Sequence, residues 1–363
     1  MQTTYNFCAG PAMLPAPVMQ RAQKEFIDWN GNGTSVMEVS HRGKPFMEVA
    51  HKAEQDLRTL LAVPSNYKVL FLQGGGRGQF FSVPMNLAKR GEGSQHLVSG
   101  QWSQIAVSEA EKYMPSKVVA KTQNVDERLW VPTQEHWEMD EQAAYFHYCP
   151  NETVDGIEIP WVPVSKSKNV PIVADMSSNI LSKQINVEDY GVIYAGAQKN
   201  IGPSGLAVVI VRDDLLAYAR DDTPSMFEYQ QQVNNDSMYN TPPTFSWYLA
   251  GLVFEWLIEQ GGLSVMEQRN QQKARLLYEC IDKSDFYRNR VCEENRSRMN
   301  VTFHLNDNTL DAAFLDASQK AGLLALKGHR LVGGMRASIY NAMPLEGVKA
   351  LVSFMQDFER THG

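Results

Sequence analysis

The sequence predicts an α/β fold: a large domain built on a mostly parallel mixed sheet, followed by a small α+β C-terminal domain. Two observations predict it. Short apolar runs, several of them β-branched and bounded by Gly, Pro or Asn, recur from residue 68 to residue 211, as buried strands of a mostly parallel sheet do. Helical patterns fill the intervals, and strand–helix alternation over such a length argues for a sheet covered on both faces.

The predicted strands are residues 68–72, 96–99, 118–120, 145–148, 171–174, 192–195 and 207–211, with helices over 79–89 and 101–113. After Pro243 the character changes. Residues 245–259 and 264–282 read as long helices separated by Gly261-Gly262, and 299–305 and 334–340 read as strands. The chain closes with a helix over 345–359, in which Leu345, Val348, Val352 and Met355 form an apolar stripe at helical spacing. A length of 363 residues suits two domains. The division expected is a large domain over 16–258 and a small one over 259–363, joined by residues 1–15.

Composition narrows the function. Lys and Arg number 34 against 41 Asp and Glu, a net charge of −7. That argues against a nucleic-acid partner, which needs a basic face. Cys8, Cys149, Cys280 and Cys292 are scattered, without the spacing of a metal site or a disulfide scaffold, so no metal is expected. The longest apolar run, 206–211, is far too short to span a membrane. The start MQTTYNFCAG has no basic stretch leading into an apolar one. The expectation is a cytoplasmic protein with neither membrane nor nucleic-acid partner.

Three segments at predicted strand ends carry the chemistry, where open α/β sheets bind ligands. Gln73-Gly-Gly-Gly-Arg77-Gly78 lets the backbone approach a ligand closely, and the helix that follows offers N–H groups to a phosphate. It matches neither named phosphate motif, since Gln79 stands where the third glycine of G-x-G-x-x-G belongs. Read alone, it is equally an ordinary tight turn. Asp175 ends an apolar run and could cap a helix or pair with a cationic ring nitrogen. Lys199 lies in Ala195-Gly-Ala-Gln-Lys199-Asn-Ile-Gly-Pro-Ser-Gly205, between apolar strands, where a lysine is rare without a purpose. A crowded lysine loses its proton and attacks an aldehyde; a solvent-facing turn lysine is the alternative. Together the three meet the needs of pyridoxal 5′-phosphate (PLP), namely an anion site, a pyridinium partner and an aldehyde trap.

The segments NFCAGPAMLP, GTSVMEVSHRGKPF, GGGRGQF, HYCPNETVDG, YAGAQKNIGPSG, NTPPTFSWYL and KGHRLVGGMRASIYNAMP together resemble the bacterial phosphoserine aminotransferases over essentially the whole chain, from Asn6 to Gly363. The resemblance implies an aspartate-aminotransferase-like, fold type I PLP enzyme that works as a homodimer with shared active sites. It implies Lys199 as the Schiff-base lysine and Asp175 as the pyridinium partner. Trp102 stacks on the cofactor ring, and Thr153 bonds the ring hydroxyl. Gly76, Arg77 and Gln198 hold the phosphate, which Asn240 and Thr241 reach from the other subunit. His41, Arg42, His329, Arg330 and Arg336 bind substrate, and arginine forks do suit acidic substrates. The reaction implied exchanges an amino group between glutamate and 3-phosphohydroxypyruvate, giving O-phosphoserine and 2-oxoglutarate. Amination of 2-oxo-3-hydroxy-4-phosphobutanoate is a second expectation. Cys8 departs from the serine or asparagine of many relatives. The rivals are a desulfurase or lyase on the same scaffold, a nucleotide-binding oxidoreductase built on the Gly74–Gly78 turn, and a non-catalytic PLP carrier.

Overall fold

In a computed structural model, residues 4–164 and 169–363 are described. The main sheet contains β1 (Tyr67–Gln73), β2 (Ser94–Val98), β3 (Ser116–Lys121), β4 (Tyr145–Tyr148), β5 (Ile172–Asp175), β6 (Val192–Gly196) and β7 (Leu206–Arg212). Among the described residues these form one seven-stranded sheet in the order β1-β7-β6-β5-β4-β2-β3. The pairs β3–β2, β2–β4, β4–β5 and β5–β6 are parallel, whereas β7 runs antiparallel to both β6 and β1. The reversal has a plain cause. Residues 197–205 join β6 to β7 as a turn with no crossover helix, and only an antiparallel partner can be reached that way.

All strands except β7 therefore point their C-terminal ends to one edge. There helix α1 (Gly75–Leu87) leaves β1, helix α2 (Gln101–Ala110) leaves β2, the hairpin of Asn151–Glu152 and Ile157–Glu158 follows β4, and Asp175 ends β5. Helix α1 begins four residues before the sequence predicts. The glycines disfavour a helix interior but suit its first turn, whose N–H groups have no intrahelical partner. Gly74 (φ 92°) and Gly75 (φ 60°) take the left-handed backbone that turns the chain from strand into helix.

Both faces of the sheet are covered, and β7 shows why its run is apolar throughout. Val208 and Ile210 point into a core with Phe71 and helix α3 (Thr244–Glu259), while Val209 and Val211 point into the opposite core with Phe80 and Tyr194. A third core lies towards the C-terminus. It packs helix α4 (Gly262–Asp282) and helix α5 (Leu345–His362) on the antiparallel strands β8 (Tyr287–Arg288), β9 (Asn300–Leu305) and β10 (Met335–Ser338). The expected stripe of α5 is buried there through Val348, Val352 and Met355. Phe7 enters the same core because Tyr5–Asn6 pairs with Leu323–Leu324. Among the described residues no helix is long and apolar enough to cross a membrane.

Phe71 ties β1 to α3: its ring stacks on Trp247 at 4.5 Å, and it is 2% exposed. Phe71→Ala should lower the unfolding free energy by about 3–5 kcal/mol through the cavity it leaves, measured by urea or guanidinium denaturation. A loss below about 1 kcal/mol would contradict this account of the core.

Candidate active site

A cavity of about 180 Å³ opens at the C-terminal edge of the sheet, lined by Gly76, Arg77, Phe80, Trp102, Asn151, Thr153, Asp175, Ser177, Ser178, Gln198 and Lys199. The residues that leave the ends of β1, β2, β4, β5 and β6 contribute to it. The floor depends on two glycines. A Cβ on Gly76 would meet Ser177 Oγ at 2.9 Å, and one on Gly196 would meet Gly76 N at 2.9 Å and Gln198 Oε1 at 2.7 Å. Only glycine lets the start of α1 and the Lys199 turn lie this close.

Lys199 is buried, and its Nζ donates to Thr153 Oγ1 at 2.6 Å. The same nitrogen lies 5.9 Å from the centre of the Trp102 ring. Burial pulls the ammonium down to about 8, against the opposing pull of Asp175, Glu152 and Cys149; Arg336 adds to the lowering. Desolvation wins because a buried cation loses its hydration and no carboxylate touches it.

Asp175 is also buried, and Oδ1 accepts from Ser177 N at 2.9 Å and from Ser177 Oγ at 2.6 Å. Oδ2 has no protein partner among the described residues. Burial raises the carboxyl above its usual range, although Ser177 and Lys199 both pull it down. Ser177 Oγ in turn accepts from Gly196 N at 2.9 Å, which locks the end of β5 to the end of β6.

Trp102 forms the opposite wall, with Arg77 5.4 Å from its ring centre. Its Nε1 is buried without a partner among the described residues. Beneath it lies Glu152, fully buried, which accepts from Trp102 N, Ser103 N and Ser103 Oγ. Burial pushes this carboxyl up to about 7, against the lowering effect of those three bonds.

Of the residues expected from the sequence, Lys199, Asp175, Gly76, Arg77, Trp102, Thr153 and Gln198 come together in this cavity. Arg336 lies at its margin: from β10 its Nη1 donates to Thr153 O at 3.2 Å. The other substrate candidates do not join them within one chain. Arg42 and Arg330 are exposed, and His41 is half-buried with Nε2 unpartnered. His329 is half-buried and near enough to Asp155 to draw its carboxyl down, yet burial prevails and holds that carboxyl above its usual range. Asn240 and Thr241 are exposed and meet Gln73, whose Nε2 donates to Asn240 Oδ1 at 3.3 Å and to Thr241 O at 2.8 Å. Residues that sequence reasoning left without a role are Phe80, Asn151, Ser178, Ser177 and Glu152. The pair Ser177-Ser178, two residues beyond Asp175, was the available signal; Glu152 had none.

The class-V aminotransferase family profile matches residues 4–351. The chain belongs to the class-V aminotransferases. It is similar to a phosphoserine aminotransferase from Bacillus circulans subsp. alkalophilus at 44% identity, over 99% of each chain, with a TM-score of 0.95. It is similar to a PLP-bound phosphoserine aminotransferase from Trichomonas vaginalis at 42% identity, over 98% of this chain and 100% of that one, with a TM-score of 0.93. A further phosphoserine aminotransferase, studied for radiation damage of its Schiff base, is 41% identical over 99% of this chain and 100% of that one, with a TM-score of 0.95.

Class-V aminotransferases are PLP-dependent, and the residues present fit that group. The glycine floor leaves room beside the N–H groups of α1, an aromatic wall faces it, Asp175 keeps one oxygen without a protein partner, and an amine with a lowered pKa stands between them.

The amine makes a direct prediction. Reductive methylation of Lys199 in cofactor-free protein, followed by mass spectrometry, should titrate with a midpoint near 8 rather than at the ordinary lysine value of 10.5. A midpoint at or above the ordinary value would mean that the amine is solvated.

Proposed function

We propose that this protein is a phosphoserine aminotransferase: it moves the amino group of glutamate to 3-phosphohydroxypyruvate and releases 2-oxoglutarate and O-phosphoserine. The observation that carries this reading is the buried Lys199 amine, bonded to Thr153 and set between Asp175 and the Trp102 ring. The PLP group supplies an electron sink that accepts charge from the substrate α-carbon.

The protein's own residues do the rest. Lys199 Nζ takes the proton from the substrate α-carbon and delivers it at the other end of the exchange, and an amine held near neutrality serves as base and then acid. Asp175 Oδ2 would hold a proton on the cofactor ring nitrogen, while Ser177 fixes the orientation of the carboxylate through Oδ1. Thr153 Oγ1, which accepts from Lys199 Nζ, would hold the ring hydroxyl of the bound cofactor. Gly76, Arg77 and Gln198 receive the cofactor phosphate at the start of α1. Arg336 takes the substrate α-carboxylate.

The second substrate anion falls to His41, Arg42, His329 and Arg330. Among the described residues none of Arg42, Arg77, Arg330 and Arg336 makes an ion pair with a carboxylate, so these charges are available to a ligand. His41, Arg42, Asn240 and Thr241 lie outside the cavity of their own chain. That supports a homodimer in which each site is completed by the partner subunit.

The test is spectroscopic. PLP-loaded protein should show a near-visible band that fades with glutamate and returns with 3-phosphohydroxypyruvate. Lys199→Ala should keep the fold and lose turnover by several orders of magnitude. A protein that takes up no PLP, or a Lys199→Ala variant of normal activity, overturns the reading. A band that glutamate leaves unchanged would point instead to a lyase or carrier on the same fold.

Arg330→Ala should reduce kcat/KM for O-phosphoserine at least tenfold, about 1.4 kcal/mol or more, with a smaller effect on glutamate. Equal losses for phosphorylated and unphosphorylated substrates would remove Arg330 from the phosphate contact.

A further inference from the structure

Helix α2 carries Trp102 in its first turn, where backbone N–H groups lack intrahelical partners. A neighbouring serine, threonine or aspartate ordinarily caps such an end. Here the N-cap is Gly100, which has no side chain to offer. The capping role is taken from the hairpin after β4. Glu152 Oε2 accepts from Trp102 N at 3.1 Å, and Oε1 accepts from Ser103 N at 2.8 Å and Ser103 Oγ at 2.6 Å. Gly100 makes the approach possible, because a Cβ there would meet Glu152 Cγ and Cδ at 2.8 Å. The carboxylate is fully buried, an expensive place for a charge unless its lone pairs are satisfied.

The next residue connects the same backbone to the chemistry. Thr153 Oγ1 accepts from Lys199 Nζ at 2.6 Å, and Thr153 O accepts from Arg336 Nη1 at 3.2 Å. One dipeptide therefore fixes the aromatic wall on one side and the reactive amine on the other. A cap can serve only the first turn of α2, and here that turn carries the residue that faces the ligand. Glu152 grips the backbone of that residue.

We propose that Glu152 is a positioning residue that sets Trp102 against the cofactor ring by anchoring the first turn of α2 to the hairpin that holds Lys199. The proposal rests on the PLP reading above. The coupling of Glu152 to Trp102 is separable from a general structural role, and the pull of the Glu152 charge on Lys199 is removed from the comparison by titrating PLP well above the pKa of that amine, near 8.

The experiment is a double-mutant cycle read as PLP affinity. Holoenzyme is stripped of cofactor and retitrated with PLP, following the near-visible band and its circular dichroism, for wild type, Glu152→Gln, Trp102→Ala and the double variant. The expected result is a loss of about tenfold for Glu152→Gln alone and no further loss when it is added to Trp102→Ala. Losses that multiply independently, or an unchanged affinity in Glu152→Gln, overturn the proposal. Glu152→Asp keeps a carboxylate but shortens its reach to the first turn of α2, and the same cycle applied to it keeps the test decisive if Glu152→Gln does not fold. Wild-type protein that binds no PLP would overturn the functional reading itself, whereas PLP binding with an additive cycle overturns Glu152 alone.

Discussion

The burial of one amine organises the functional end of this protein. A lysine taken out of water must lose its proton or be compensated, and Lys199 does part of each. Thr153 accepts its hydrogen bond, Asp175 and Glu152 supply negative charge without touching it, and burial leaves its pKa near 8. Full pairing with a carboxylate would have held the amine protonated and inert. Complete isolation would have left a cost of several kcal/mol uncompensated. The position between these extremes keeps a nucleophile available near neutral pH, and it is set by distance rather than by contact.

That distance is a property of the sheet. Parallel strands bring the residues after β1, β2, β4, β5 and β6 to one edge, so Gly76, Trp102, Thr153, Asp175 and Lys199 converge although more than a hundred residues separate the first from the last. The antiparallel insertion of β7 keeps the turn at 197–205 short, which holds Lys199 against the sheet instead of releasing it on a long crossover. The glycine pair Gly76 and Gly196 then closes the floor, with Ser177 bolted between them.

Much of this was legible in the sequence because a charged residue at the end of an apolar run is conspicuous. Lys199 and Asp175 announce themselves in that way, and the Gly74–Gly78 turn does so by composition. The strands were placed to within about two residues for the same reason, since buried strands have no polar face to blur their limits. The start of α1 was missed because helix propensity penalises glycine, whereas the left-handed backbone at Gly74 and Gly75 and the close approach at Gly76 require it. Glu152 was illegible for a different reason. Its partners Trp102 and Ser103 lie about fifty residues away in sequence, and a lone carboxylate between Asn151 and Thr153 carries no pattern. His41, Arg42, Asn240 and Thr241 came from resemblance alone, and one chain leaves them outside its cavity.

The charge balance explains how a protein with a net charge of −7 can take acidic substrates. On the surface, Arg21, Arg58, Arg212, Arg220 and Arg296 are each paired with a carboxylate. Arg336 is different: burial lowers its pKa, and its recorded bond goes to the carbonyl of Thr153, which orients the guanidinium without neutralising it. An unpaired guanidinium in a partly dry setting interacts strongly with an incoming carboxylate, because both the low local dielectric and the fixed fork geometry favour the pair. The same cation lowers the Lys199 pKa while the site is empty of substrate. An anion bound at Arg336 would cancel part of that repulsion, so anion binding there and the proton affinity of the Lys199 amine would be coupled.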